Sequence, residues 1–524
     1  MVPTAYLQLE TMPMTPNGKT DVKALPEPVL AITSAYTEPA NDAERTFCDI
    51  FAEILQMDRV GATDNFFELG GTSLVVTRVI IMADKAGMKV AYGDVFDNPT
   101  PRQLAALVTG VTVDEKAAEV GDNVDEVIVN YDYTAIDNVL RHNVIDTFRQ
   151  GECQPLGNVM ITGATGFLGI HILHELLNSE AQTIYCLVRG KTLQAAEQRL
   201  RTLLFYYFDN SYSELFGNRL NVILGDVTNN LVEVCGDIQI DTIFNCAAIV
   251  KHFSKGTEIE DVNVGGARAC IDYCLTKNAR LVHISTASTR GLSINDTPAP
   301  EEVFTERRLY MGQFLGNKYI HSKFEAERYI LEAVALHGLS AKIMRVGNLS
   351  ARSTDGEFQV NFGTNSFMGR IKVYNMLGCC PHTMRTMPLE FSPINEVSKA
   401  IILLATTPKE CTVFHPYNNH AQQLGDVLAE LSKVTGGVEF VEQEDFDAAM
   451  DAAQADPEKA RILSSMLAYQ NAAHGQKTAD VRRDNEYTTQ VLFRLGYSWT
   501  PTSWDYVRRF LKAINGLGFF ENQE

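Results

Sequence analysis

The sequence has little positive charge for its size. Lys and Arg total 45 against 65 Asp and Glu, a formal net charge of -20. A chain so acidic repels polyphosphate in bulk, which excludes a general nucleic-acid binder. Long apolar runs are missing as well. The most apolar stretch, around Ala400 to Ala405, is far too short to span a bilayer. The N-terminus, MVPTAYLQLE, has no basic patch followed by an apolar run, so no secretory leader is expected. Ten cysteines occur, none in CxxC spacing, and no HExxH or Cys/His cluster accompanies them. Reduced, buried thiols, no metal, no membrane and a cytoplasmic location are therefore expected. Hydrophobic residues at 45% and charged residues at 21% are ordinary for globular proteins. A chain of 524 residues is long enough for several domains.

Composition shifts mark the boundaries. Residues 1–30 are turn-rich, with NGKTDVKALPEP near their end. From about 38 to 110 the pattern becomes helical. Asn41 or Asp42 can cap a helix with apolar positions Phe47, Ile50, Phe51 and Leu55. DNFFELGGTSL restarts a helix at Ser73, and another begins near Pro101. Four short helices make a small bundle. Between Asp114 and Glu126, six acidic residues face one Lys and no aromatic, the composition of a solvated linker spanning about 111–130. An amphipathic helix is expected over Tyr133 to Phe148.

The rest, 131–524, opens on repeated β–α units. Apolar runs at 159–163, 183–189, 221–227, 242–248, 280–286 and 342–349 predict buried parallel strands. The expected fold class is α/β, a Rossmann-like doubly wound parallel sheet over about 155–350. A helical subdomain formed mainly by 350–524 should follow it. The small four-helix domain precedes both.

The strand VMITG runs into GATGFLG and then a helical pattern. Gly163 permits the tight turn, Gly166 lets backbone approach a pyrophosphate, and Gly169 lets the helix pack on the strand. Thr165, Phe167 and Leu168 complete this loop. The second strand ends in LVRGK. A cation there, Arg189, fits a 2'-phosphate and favours NADPH over NADH, with Arg199 as a second candidate. Asp226, followed by Val227, ends the third strand, where it can bond an adenine amino group. Asn245 and Ala247, within NCAA, supply small groups beside the cofactor.

Tyr319-Ile-His-Ser-Lys323 is a YxxxK string in helical context. The i, i+4 spacing puts phenol and ammonium on one face, and the cation favours phenolate. Thr286, at the end of the strand HIST, is placed to line the same cleft.

In this order, GATGFLG, Arg189, Asp226, Thr286, Tyr319-xxx-Lys323 and RVGNL (345–349) resemble the extended short-chain dehydrogenase/reductase superfamily over roughly 155–400. CLVR, VNVGG (262–266) and LEFSPINEVSKAI (389–401) are similar to the thioester reductase domains that terminate nonribosomal peptide synthetases. That resemblance implies Thr286, Tyr319 and Lys323 as catalytic residues, and the cofactor-binding set also takes in Lys323, which can bond the nicotinamide ribose, and Asn348. DNFFELGGTSL looks like the attachment motif of peptidyl carrier domains, which implies a 4'-phosphopantetheine on Ser73, installed by a phosphopantetheinyl transferase. YLQLETMPMTPNGKTDVKALP looks like the tail of an adenylation domain, with Lys19 at its catalytic position. The implied function is NADPH-dependent release of an acyl or peptidyl thioester, delivered by upstream modules, as an aldehyde or further as an alcohol. A non-redox cyclising or binding domain and a nucleotide-sugar-type dehydrogenase are the alternatives.

Overall fold

The computed structural model describes residues 36–55, 57–69, 71, 75–90, 94–109, 127–250, 257–293, 303–315, 318–359, 366–454, 456, 459, 462–463 and 479–520. The chain divides into two compact units, Met1–Asp125 and Glu126–Glu524. The expected adenylation tail with Lys19, most of the acidic linker, and Ser73 lie outside the described residues.

The first unit holds helices α1 (Asp42–Leu55), α2 (Val76–Lys85), α3 (Asp94–Asp97) and α4 (Pro101–Thr109). In α1, Phe47, Ile50, Phe51 and Ile54 are buried. Their spacing makes one apolar stripe. Asn41 starts the helix: its Oδ1 accepts from Glu44 N at 2.8 Å, and the Glu44 carboxylate accepts from Ala40 N at 2.8 Å. These bonds satisfy backbone donors that have no partner inside the helix. Phe51 and Phe66 pack with ring centroids 4.7 Å apart.

After a helical stretch at 127–130 the second unit continues with α5 (Thr134–Leu140), shorter than the expected 133–148. Its end is followed by a separate short turn over Ile145–Thr147. Strands and helices then alternate: β1 (Val159–Thr162), α6 (Phe167–Leu177), β2 (Ile184–Val188), α7 (Leu193–Phe208), β3 (Leu220–Leu224), α8 (Leu231–Cys235) and β4 (Thr242–Asn245). They continue through α9 (Gly266–Lys277), β5 (Arg280–Thr286), α10 (Lys318–His337) and β6 (Ser340–Val346).

The region beyond 350 adds α11 (Ser366–Leu377), α12 (Ile394–Ala405), β7 (Val413–Phe414), α13 (Leu424–Thr435), α14 (Gln443–Gln454), α15 (Glu486–Arg494) and α16 (Trp504–Gly516). The sheet order is β7-β6-β5-β4-β1-β2-β3, and all six pairings are parallel. Strand order reverses beside β1, so a ligand crevice is expected at the carboxyl ends of β1 and β4.

Successive strand residues feed opposite cores. Val159 and Ile161 join α6, α7, α12 and α15 on one face. Met160 joins α9 and α10 on the other. Each such buried side chain stabilises the fold by about 1.5–3 kcal/mol. A third core, with Phe391, Leu428 and Phe510, is built by α11, α13, α14 and α16. The region after 350 thus divides. Four of its helices form the separate helical core, while α12, α15 and the two-residue edge strand β7 return to the sheet layers. Among the described residues no helix is long and apolar enough to cross a membrane.

Candidate active site

The crevice opens where β1 meets α6. Gly163 has φ +67, and a Cβ there would lie 2.6 Å from Ala247 N. A Cβ on Gly169 would lie 2.1 Å from Gly163 O. Only glycine fits either position. Gly166 precedes the first residue of α6, so the positive end of an eleven-residue helix faces the loop. Thr162 joins the two walls: its Oγ1 donates to Asn245 Oδ1 at 2.8 Å and accepts from Ala247 N at 3.2 Å. Asn245 Nδ2 in turn lies 3.2 Å from His283 Nδ1 on β5. Asn245 is 1% exposed, so its side chain braces three strands below the crevice.

Among the sequence-predicted residues, the crevice brings together Gly163, Thr165, Gly166, Arg189, Arg199, Asp226, Val227 and Ala247. Thr162, Leu187, Val188, Gly225, Cys246, Ala248, Ile249 and Val262 complete the lining. Arg189, with 76% of its side chain exposed, lies 3.7 Å from the Asp226 carboxylate. Arg199 Nη2 donates to Thr165 Oγ1 at 2.9 Å. Two guanidinium groups therefore stand at the β2 end of the crevice. The glycine cradle, the helix end and these cations fit a dinucleotide with its pyrophosphate at α6.

Phe167, Leu168 and Gly169 stand behind the loop. Phe167 packs on His171 and Phe358, with ring centroids 5.1 and 5.5 Å away, and Leu168 is buried. Asn348 stands apart. Its backbone N–H donates to the Glu390 carboxylate, and its side chain to the Glu390 carbonyl at 3.5 Å.

Helix α10 carries Tyr319 in its first turn and Lys323 one turn later. Lys323 is buried, and its Nζ donates to Ile284 O at 2.8 Å. Burial pushes its pKa down to about 8, opposed by Cys246 and by the Glu327 carboxylate. Thr286 closes β5, and its Oγ1 accepts from Ser288 N at 3.1 Å. Accepting there leaves the hydroxyl hydrogen to donate elsewhere.

Tyr319 is half-buried, and its carbonyl accepts from Ser322 Oγ at 2.8 Å. Ser322 Oγ also accepts from Asn263 Nδ2 at 2.9 Å. Asn263 grips Ile249 through both its backbone N–H and C=O, at 2.8 and 3.0 Å. It sits in a π-helical turn, Asp261–Gly265. The string VNVGG is recognisable as a motif, yet the motif does not single out this residue. No local signal marks it, since its partners Ile249 and Ser322 lie 14 and 59 residues away in the chain.

The fold and the crevice define a dinucleotide-binding α/β protein with a tyrosine–lysine helix beside the cofactor crevice. Comparison with known proteins narrows the class. Residues 161–401 match the NAD-binding family described as male sterility protein, and residues 45–108 match the phosphopantetheine attachment site family. The thiolation-reductase di-domain of an archaeal non-ribosomal peptide synthetase is 37% identical with a TM-score of 0.81, covering 93% of this chain and 100% of that one. One of the linear gramicidin synthase proteins of Brevibacillus parabrevis is 28% identical over 87% of this chain, and isonitrile lipopeptide synthase of Mycobacterium tuberculosis is 31% identical over 67%. The chain spans only 9% and 15% of those two relatives. The chain belongs to the thiolation-reductase didomain family of nonribosomal peptide synthetases. Its cofactors by family are phosphopantetheine on the carrier unit and NAD(P)H in the reductase unit.

Proposed function

We propose that this didomain releases a carrier-bound acyl or peptidyl thioester by NADPH-dependent reduction to an aldehyde, the second unit acting on the thioester that the first one holds. The observation that carries the reading is the seating of Lys323 on Ile284 O, two residues before Thr286 and one turn after Tyr319. Bound NADPH supplies the hydride. Thr286 donates a hydrogen bond to the carbonyl oxygen as negative charge develops there. The Tyr319 hydroxyl delivers the proton, the carbon–sulfur bond then breaks to leave the aldehyde and the free thiol of the arm, and the Lys323 ammonium, with N–H groups beyond the one given to Ile284, lowers the phenol pKa.

Arg189 and Arg199 recognise the 2'-phosphate, and the Gly163–Gly169 loop holds the pyrophosphate. The arm is a 4'-phosphopantetheine on Ser73, put there by a phosphopantetheinyl transferase, and the acyl group comes from upstream modules. Tethering raises the effective concentration of the substrate, so weak docking suffices. The unit boundaries are a carrier at about 38–110 and a reductase from about 131. All ten cysteines are unpaired, which suits a reducing cytoplasm.

The test loads Ser73 with an acyl-phosphopantetheine from acyl-coenzyme A and follows NADPH oxidation, with Tyr319→Phe alongside. Loaded wild type should consume NADPH and release aldehyde, while the variant loses roughly 100-fold or more of the rate, the scale of a lost general acid. Efficient loading without NADPH consumption would put a cyclising or binding role ahead.

A further inference from the structure

Behind the tyrosine–lysine face lies a fully buried ion pair. Glu327 is four residues beyond Lys323 and eight beyond Tyr319, on the face of α10 that Lys323 shares. Its carboxylate accepts from Arg345 Nη2 at 2.7 Å and from Arg345 Nε at 2.9 Å. Neither side chain has any exposed area. Glu327 also accepts from Ser285 Oγ, on β5.

Arg345 comes from β6. Its Nη1 donates to Arg308 O at 2.9 Å and to His415 Nε2 at 3.2 Å, and His415 Nδ1 donates to Asp484 O at 2.7 Å. The Phe304 ring stacks on the guanidinium, 4.4 Å away. One carboxylate thus binds α10, β5 and β6 together.

Two consecutive residues of β5 meet this apparatus. The Ile284 carbonyl takes Lys323, the Ser285 hydroxyl is held by Glu327, and Thr286 follows at once. A buried ion pair is a weak way to stabilise a fold, since an apolar pair of similar size does as well. It is a strong way to fix geometry, because a bidentate fork tolerates little rotation.

Resting on the reading that Tyr319 and Lys323 carry the reduction, we propose that Glu327 and Arg345 are positioning residues. They set the rotation and height of α10 against β5, and so the placement of Tyr319 and Lys323 relative to Thr286. The pair also has an electrostatic consequence. Among the described residues, the titratable groups acting on Lys323 are Cys246 from the loop after β4, His283 of β5, and Glu327. Burial pushes the Cys246 thiol up to about 12 and holds His283 neutral. Glu327 is the one carboxylate of that set, and it favours the protonated lysine. Removing its charge, with Arg345 left in place, disfavours the protonated lysine.

The experiment uses the full chain with Ser73 loaded from acyl-coenzyme A, at saturating NADPH. Four proteins are compared: wild type, Tyr319→Phe, Glu327→Gln and the double variant E327Q/R345M. For Glu327→Gln the single-turnover reduction rate should fall about 10- to 100-fold, the scale of a small misplacement of reacting groups. The dissociation constant of NADPH, read by fluorescence titration, should stay within about threefold by the same reasoning, since the crevice lining is untouched. The alkaline limb of the rate profile should move to lower pH. In E327Q/R345M, which removes the whole pair, the rate should stay low.

Reduction by Glu327→Gln at the wild-type rate with an unmoved limb would overturn the proposal. If Glu327→Gln does not fold, the double variant decides. A wild-type rate there overturns the proposal, and a lowered rate with unchanged NADPH affinity supports it. A Tyr319→Phe protein that reduces normally would instead sink the reductive mechanism itself, and the positioning role with it.

Discussion

In the carrier unit the largest fully buried side chains are Phe47, Phe51 and Phe66. Of its buried acids, Glu44 and Asp64 each accept from a nearby backbone N–H. In the reductase unit Arg345, Lys342, Glu327, His283 and His415 are buried completely, and Lys323 and Glu306 nearly so. Lys342 donates to the carbonyls of Pro408 and Cys411, and burial lowers its pKa to about 7. A burial of charge on this scale is stable only where every group has a partner. The carrier needs to present a single serine and holds its shape with rings and helix caps. Under the proposed function the reductase has to fix a lysine and two hydroxyls beside a cofactor, and buried polar bonds that cross strands suit that task. The two units should therefore fail in different ways when altered.

The largest separation comes from Ser73→Ala. The loaded mass of the intact protein and all tethered reduction should disappear. NADPH affinity, measured by titration, should be unchanged. A variant that still gained the phosphopantetheine mass would move the attachment point off Ser73.

Next is Gly169→Ala. The new methyl would meet the oxygen and carbon of Gly163, at 2.1 and 2.8 Å. Both are backbone atoms and cannot swing aside, so α6 must retreat from the loop. A loss of about 1–3 kcal/mol from the reductase unit is expected, with NADPH affinity down roughly tenfold or more as the pyrophosphate cradle opens. Loading of Ser73 should not change. Unaltered NADPH binding would remove the loop from the cofactor site.

Legibility in the sequence followed the same division. The Gly-rich loop, the strand-end cations and the tyrosine–lysine string could be read because each is local: the residues that act together lie within a few positions. Six strands were legible from their apolar runs. β7 was not, since two residues, Val413 and Phe414, carry no periodicity, and only the sheet edge made by β6 calls them into a strand. The ion pair of Glu327 and Arg345 joins a helix to a strand 18 residues further on. No spacing rule pairs such positions, and Arg345 could be read only as part of RVGNL. Asn245 shows the same limit. Its place at a strand end was plain, but its partners Thr162 and His283 come from two other strands.

Acid should separate the units by a smaller margin. Burial pushes His171 down to about 3 and His174 to about 4, and His283 and His415 well below their ordinary value. In the unfolded chain each returns to about 6.5. Stability present above 6.5 is thus lost as pH falls toward 4, because the unfolded chain takes up protons that the fold refuses. Glu306, raised to about 7 by burial, acts in the opposite sense, as do Glu175 and Asp137, raised for the same reason. Only Glu306 of these is shifted far, so the four histidines decide the sign. The first 125 residues contain no histidine. Calorimetry from about pH 7 to about pH 5, the span in which the unfolded histidines titrate, should show the reductase transition falling in temperature more steeply than the carrier transition. Parallel shifts would mean that the histidines do not govern it.

The smallest effect should come from Asn41→Ala and should touch the carrier alone. The side chain of Asn41 accepts from Glu44 N, and Glu44 answers by accepting from Ala40 N. Removing the amide leaves the first turn of α1 with an unsatisfied donor and frees Glu44, which also lies 3.4 Å from Arg102 on α4. Loss of such a cap costs about 1 kcal/mol. In a domain of this size that lowers the melting temperature by about 4–8 °C. Asn41→Asp, which keeps an acceptor at the cap, should melt close to wild type. Both variants should bind NADPH as wild type does. A carrier transition equally lowered in Asn41→Ala and Asn41→Asp would show that the amide itself, and not its accepting oxygen, secures the helix start.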